Sequence, residues 1–154
     1  MTIARTIESY LKDNVVSYAV VEHPRSISSR QTAEAAHVPL RHIAKGVVLA
    51  DEDGYLMAVI PGDRHVELNT LCKKLGRRLK LVDDTSMAPM FKDCEPGVIP
   101  PMGPAYNIET IVDESLIGRK SVCFSGGDHD RLICVDGRDF VRLLRPADYG
   151  QFSH

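Results

Sequence analysis

The sequence predicts an α/β domain, a mixed and curved sheet with helices around it. Residues 46–50 and 55–60 are near-continuous apolar runs separated by the turn sequence Asp51-Glu52-Asp53-Gly54, which reads as a hairpin in the core of a sheet. Residues 121–125 and 132–135 frame a second hairpin, with Gly126-Gly127-Asp128-His129-Asp130 at its tip. Helical segments fall between the strands without regular βαβ alternation, so strand pairing should be mixed rather than all parallel.

The other elements follow in chain order. Ile3, Ile7 and Leu11 recur at helical spacing and predict an amphipathic helix over 2–13. Residues 15–22 are β-rich and end at His23-Pro24, where proline stops regular pairing. Ser28-x-x-Gln31 is a capping-box pattern opening a helix over 30–36. Residues 67–75 read as a helix closed by Gly76, a left-handed C-cap. A short strand at 79–82 and a brief helix at 85–91 precede a loop rich in proline and glycine, 95–104. A strand is expected at 106–112, a short helix or strand at 139–144, and a frayed tail after Pro146.

The chain of 154 residues suits one compact domain over 1–154. A formal net charge of −2 supplies no global attraction for polyanions, so any nucleic-acid contact must come from a local basic patch. The four cysteines, Cys72, Cys94, Cys123 and Cys134, form no C-x-x-C pair and no zinc spacing, and read as reduced thiols of a cytoplasmic protein. The charged N-terminal stretch with Arg5, Glu8, Lys12 and Asp13 does not read as a signal peptide, and no apolar run approaches the ~20 residues of a membrane span.

Four features could carry chemistry, and each also has a plain structural reading. Lys45 stands at the mouth of the apolar strand, where it is either a solvated strand-end lysine or a point charge for a phosphate or carbonyl. The loop Gly97-Val98-Ile99-Pro100-Pro101 is either a rigid connector or a stiff rim whose amides hold a carbonyl or a developing oxyanion. His129, beside Asp128 on the hairpin tip, is either an idle turn residue or a proton carrier. Lys73, Lys74, Arg77, Arg78 and Lys80 form either a solvated helix end or a phosphate-contacting patch. The remaining histidines, His23, His37, His42, His65 and His154, show no metal spacing, so no metal site is expected. Walker loops, G-x-S-x-G and Ser-His-Asp patterns are also missing.

Read together, these stretches resemble the YbaK/ProX family, which includes the editing insertion of bacterial prolyl-tRNA synthetases. The matching segments run from Tyr18-Ala19-Val20-Val21-Glu22-His23-Pro24, through Ala44-Lys45-Gly46-Val47-Val48-Leu49 and Ala58-Val59-Ile60-Pro61-Gly62-Asp63, to Cys94-Glu95-Pro96-Gly97-Val98-Ile99-Pro100-Pro101-Met102-Gly103 and Gly126-Gly127-Asp128-His129. The signature is a lysine on an inner strand plus a G-x-x-x-P loop, met here by Lys45 and by Gly97 to Pro101. The resemblance implies a central mixed, partly barrel-like sheet ringed by helices. It also implies hydrolysis of the ester joining a wrong amino acid to the terminal adenosine of tRNA. No metal or organic cofactor would take part, and an aminoacyl-tRNA synthetase is a possible partner.

The resemblance further implies catalytic positions at Lys45, Gly97, Pro101 and His129, and substrate-binding positions at Tyr18, His23, Gly46, Val98, Ile99, Pro100 and Asp128. Many members carry a larger side chain after the lysine. Gly46 stands there in this chain, so no amino-acid preference carries over. Two competing readings are a noncatalytic module that binds tRNA or a nucleotide, and a hydrolase of another small acyl ester.

Overall fold

The structure, a computed structural model, describes residues 3–154. In chain order the elements are α1 (Arg5–Asp13), β1 (Tyr18–Glu22), α2 (Ser29–Ala36), β2 (Ala44–Asp51), β3 (Gly54–Pro61), α3 (Leu68–Leu75), β4 (Lys80–Leu81), α4 (Asp84–Met87), β5 (Glu109–Asp113), β6 (Ser121–Ser125), β7 (Arg131–Asp136), α5 (Gly137–Leu143) and β8 (Asp148–Gly150), with short 3₁₀ turns between some of them.

The strands form a three-stranded sheet in the order β1-β7-β6 and a five-stranded sheet in the order β4-β2-β3-β5-β8. The first is antiparallel throughout. The second is mixed: β4, β2 and β3 pair antiparallel, whereas β3, β5 and β8 run parallel. The five-stranded sheet is not closed, since β4 and β8 remain as edges. An isolated parallel bridge between Ile43 and Cys123 ties the two sheets together.

The apolar run of β3 has a physical reason. Side chains alternate across a strand. Met57 and Val59 enter a core shared with α1, α5 and the three-stranded sheet, through Ile7, Leu11, Phe124, Ile133 and Phe140. Leu56, Ala58 and Ile60 enter a second core under α3, with Leu49, Leu71, Leu79, Ile111 and Phe152. A strand buried on both faces needs no polar alternation.

Local signals act as expected at several ends. Gly76 closes α3 at φ +63°, in the left-handed region. The Ser28 hydroxyl accepts from the Gln31 amide at 3.1 Å, and the Gln31 side chain accepts in return from the Ile27 amide at 3.1 Å, one residue earlier than a standard capping box. The segment expected as a short helix or strand at 139–144 is the helix α5, whose N-cap Asp136 accepts from the Arg138 amide at 2.8 Å.

Four expectations are corrected. The strand expected from residue 15 begins at Tyr18, because Val15 takes a turn at φ +54° and lies exposed. The strand expected from 106 begins at Glu109, after a 3₁₀ turn over Gly103–Tyr106. The tail does not fray. β8 pairs with β5, Phe152 is buried, and the His154 and His65 main chains exchange two hydrogen bonds. Cys123 and Cys134 are not free thiols; they stand opposite each other on β6 and β7 and are joined as a disulfide. Strand register created that pair, which no sequence spacing announces. Cys72 and Cys94 remain free. No helix among the described residues is long and apolar enough to cross a membrane.

Candidate functional site

The hairpin pairing of β2 with β3 places Lys45 opposite Ile60 and Gly46 opposite Val59, at the end of β2 away from the 51–54 turn. A cavity of about 280 Å³ opens there. Its walls combine Lys45 and Gly46, the Gly97 to Ile99 stretch, the Asp128-His129 tip and the segment from Ser26 to Thr32. A larger and more apolar cavity of about 640 Å³ lies beside it, sharing Ile27, Gly97, Val98, Ile99 and His129, and bounded by Met87, Phe91 and Cys94. Burial pushes the Cys94 thiol up to about 12, so it is no ready nucleophile.

The loop is built on a tight turn. The Val98 amide donates to the Glu95 carbonyl at 3.1 Å, and Gly97 takes φ +83°. Proline at the second position and a positive-φ glycine at the third are the requirements of a type II turn. The turn consumes the Val98 amide, which therefore cannot also serve a ligand. The amides of Gly97 and Ile99 have no acceptor among the described residues. Gly97 is exposed, and a Cβ built on it would meet nothing within 4 Å.

Val98 and Pro100 are buried, and neither Pro100 nor Pro101 lines the cavity. Pro101 packs on β2 instead: a Cβ on Gly46 would stand 3.3 Å from the Pro101 Cα, 3.1 Å from the Met57 Sδ and 3.5 Å from the Ile99 Cγ2. Gly46 is thus the place where the loop backbone approaches the strand.

Lys45 is half-buried, with its Nζ 3.4 Å from the Gly62 carbonyl. Burial draws its ammonium below the ordinary lysine range, partly opposed by the Asp63 charge. It makes no ion pair within 4 Å among the described residues, which leaves the cation available to an incoming group.

His129 sits in the cavity wall with both ring nitrogens against main-chain carbonyls, Nδ1 at 3.0 Å from Ser26 O and Nε2 at 3.0 Å from Pro96 O. A neutral imidazole carries one N–H and can donate to only one of them. The backbone of the same residue donates to Glu95 Oε2 at 2.8 Å and accepts from the Ser26 amide at 3.0 Å. The Glu95 amide donates to Gly127 O at 2.7 Å, and its carboxylate also meets Arg25 at 3.3 Å. The hydrogen bond from the His129 amide, with the Arg25 contact behind it, holds the Glu95 carboxyl below the usual carboxylate range. These bonds make the 126–130 tip a clasp between the proline loop and the 23–29 segment.

Asp128 is a pillar of that tip. Its buried carboxylate accepts from the Arg131 amide at 3.0 Å and the Arg131 guanidinium at 2.6 Å. His23, also buried, underlies the tip through its amide to Asp130 O at 2.9 Å, and does not line the cavity. Tyr18 lies opposite Val135, four positions along β1 from the Glu22–Arg131 pair beside the tip, or ~13 Å at strand rise.

The basic cluster lies elsewhere. Lys80 pairs with Ala50, and the Arg77 guanidinium grips the Asp51 carboxylate at 2.7 and 2.8 Å, at the turn end of the hairpin. Lys45 and Asp51 are separated along β2 by ~20 Å at strand rise. Arg77 also meets Glu109 at 3.0 Å, so carboxylates already neutralise it. The Lys74 stem packs where a Gly150 side chain would stand, while Lys73, Arg78 and Lys80 are exposed.

The 26–32 wall was not anticipated. The capping box located the start of α2 but said nothing of what lies across from it. Ser28 and Ser29 at that helix start line the cavity, with a buried Ser26 Oγ–Thr32 Oγ1 hydrogen bond of 2.6 Å behind them.

Comparison with known proteins adds three findings. The profile of the aminoacyl-tRNA editing domain family matches residues 23–143, which include the cavity walls described above. A proline–tRNA ligase of Thermosipho africanus (strain TCF52B) is 29% identical over 108 residues, covering 70% of this chain and 19% of the ligase, so the match spans about a fifth of that relative. Among solved structures, a hypothetical protein shares the fold with a TM-score of 0.85 at 23% identity, over 97% of this chain and 100% of the other. A protein proposed to be a trans-editing enzyme for prolyl tRNA synthetase shares it with a TM-score of 0.81 at 21% identity, over 97% of this chain and 96% of the other.

Proposed function

Because the chain belongs to the aminoacyl-tRNA editing domain family, we propose that residues 1–154 act as one unit that removes wrong amino acids from tRNA by hydrolysing the aminoacyl ester. The observation that carries this reading is the pair of uncommitted amides, Gly97 and Ile99, on the rim of a cavity whose other wall presents Lys45.

In this mechanism the amides hold the ester carbonyl oxygen. A water oxygen adds to the carbonyl carbon, and negative charge gathers on the held oxygen. The tetrahedral species then collapses with cleavage of the bond to the ribose oxygen. The water's protons end on the released ribose hydroxyl and the amino-acid carboxyl, the latter ionising at neutral pH. Each donor aimed at the oxyanion lowers the barrier by about 3 kcal/mol. An aminoacyl ester is already activated, so positioning accounts for much of the remaining acceleration. The ribose hydroxyl beside the ester orients the water, which removes the need for a side-chain base. Lys45 contacts the terminal nucleotide. His129 acts by holding the loop, because its ring lies between the Ser26 and Pro96 carbonyls and donates its N–H to one of them. The relation to a proline–tRNA ligase makes a prolyl-type synthetase and its tRNA the first partners to test.

The test is a deacylation screen of the purified protein against a panel of mischarged tRNAs, with Lys45→Ala alongside. The expected result is hydrolysis of at least one charged tRNA, with kcat/KM reduced at least tenfold in the variant. Tight tRNA binding without hydrolysis favours a noncatalytic module. Equal hydrolysis of free esters favours a general small-ester hydrolase.

A further inference from the structure

Beside the cavity, at the Lys45 end of β2, the fold gathers cations from three separate stretches of chain. Arg41 and His42 lie in the 3₁₀ turn Leu40–His42 that leads into β2. Arg64 follows β3, where the Gly62 amide donates to Ile43 O at 2.6 Å. Arg119 comes from the connection into β6 and is held in place, its Nε donating to Ser115 O at 2.9 Å and an Nη to the carbonyl of Arg41. Arg64 is anchored in the same manner, on Ser153 O at 3.3 Å.

Asp63 is the carboxylate in this group, and neither it nor any of the three arginines makes an ion pair within 4 Å among the described residues. Like-charge crowding is felt. Burial, reinforced by Arg41 and Arg119, draws the His42 imidazolium below its usual range. Burial, with Arg41 and Arg64 opposing Asp63, draws Arg119 down as well. Solvated arginines would spread apart. The Arg64 and Arg119 guanidiniums are tied to carbonyls, and with Arg41 they outnumber the single Asp63 carboxylate, so the group keeps a surplus of positive charge and unused N–H donors for an anion. The Lys73 to Lys80 cluster lies ~20 Å along β2 from Lys45 and is partly neutralised through Arg77.

We propose that Arg41, Arg64 and Arg119, with His42, bind backbone phosphates of the single-stranded 3′ end of tRNA and so deliver the ester to the cavity beside Lys45. This rests on the editing reading above. Phosphate-binding arginines give affinity without base specificity, which suits a 3′ sequence common to all tRNAs.

The test measures binding of an uncharged RNA oligonucleotide ending in CCA as a function of salt, and separately deacylation of a mischarged tRNA. Arg41→Ala with Arg64→Ala is compared with Lys73→Ala with Lys74→Ala, which removes the same charge. Circular dichroism checks folding, and Arg119 is left intact because it braces the loop. The expected result is that the arginine pair lowers the salt slope of log K by about 1.4, at ~0.7 per phosphate on a single strand. It should also raise KM for charged tRNA roughly tenfold with kcat changed less than twofold. An unchanged slope, or an equal fall in the lysine pair, overturns the proposal. Wild-type protein that hydrolyses the ester while the arginine pair keeps its slope leaves the editing reading standing and removes the arginine site. Wild-type protein that binds the RNA through these arginines but hydrolyses nothing does the reverse.

Discussion

Gly46 lies beneath Pro101 so closely that a methyl group on it would stand 3.3 Å from the proline Cα, which belongs to backbone and cannot swing aside. The strand therefore sets the height of the loop whose Gly97 and Ile99 amides rim the cavity. The family resemblance implies a substrate-binding position at Gly46, and the packing of Gly46 against Pro101 is seen only with both partners in place.

Gly46→Ala should lift the loop. Overpacking of this kind costs about 1–3 kcal/mol, or some 2–4 °C of Tm per kcal/mol in a domain of this size. The expected outcome is a lower Tm together with a kcat on mischarged tRNA reduced tenfold or more, and shifted amide resonances for 97–102. Full activity at an unchanged Tm would show that the loop height does not matter.

At Gly97 alanine alone is ambiguous, because φ +83° strains any side chain even though the space around the Cβ is open. A methyl group there disturbs the turn whether or not substrate approaches. Asparagine tolerates positive φ better than alanine while placing the same Cβ. If a side chain at 97 obstructs the substrate, Gly97→Ala and Gly97→Asn should both lose about 10²-fold in kcat. Recovery of most activity in the asparagine variant would locate the effect in the turn.

His129→Ala should act through the clasp. Removing the contacts to Ser26 O and Pro96 O frees the loop from the 26–32 wall. Steady-state kinetics should show roughly a tenfold loss of kcat/KM, with faster hydrogen exchange at 95–99. Added imidazole should not restore the rate, because a small molecule cannot tie two chain segments together. Rescue by imidazole would return His129 to the role of proton carrier.

Arg77→Ala concerns stability. The hydrogen bonds from Arg77 hold the Asp51 carboxyl at about 2, against an ordinary value of 3.8. A depressed folded-state value stabilises the protein above the unfolded value and loses that contribution as pH falls through the folded one. The variant should therefore be less stable than wild type at neutral pH, with the gap closing between about pH 4 and pH 2. NMR titration of Asp51 should move toward 3.8. A variant as stable as wild type at pH 7, with Asp51 still near 2, would remove Arg77 as the cause.

By itself the sequence determined what depends on neighbours along the chain: the β2–β3 hairpin around its Asp-Glu-Asp-Gly turn, the caps at Ser28 and Gly76, the stiff proline loop, and Lys45 at a strand mouth. These follow from torsional preference and side-chain periodicity, which act over a few residues. Only tertiary structure decided what depends on register and long-range closure. The His129 clasp joins residues 103 and 33 positions apart, and the Arg119 contact with Arg41 spans 78. The Cys123–Cys134 pair needs the β6–β7 register, and β8 needs a parallel partner already in place. The five basic residues from 73 to 80 form a cluster in sequence, but their charges are partly neutralised by Asp51 and Glu109. Arg41, Arg64 and Arg119 are scattered in sequence and meet in space. Coulomb interactions follow distance through space, and chain order says little about that until the sheets have formed.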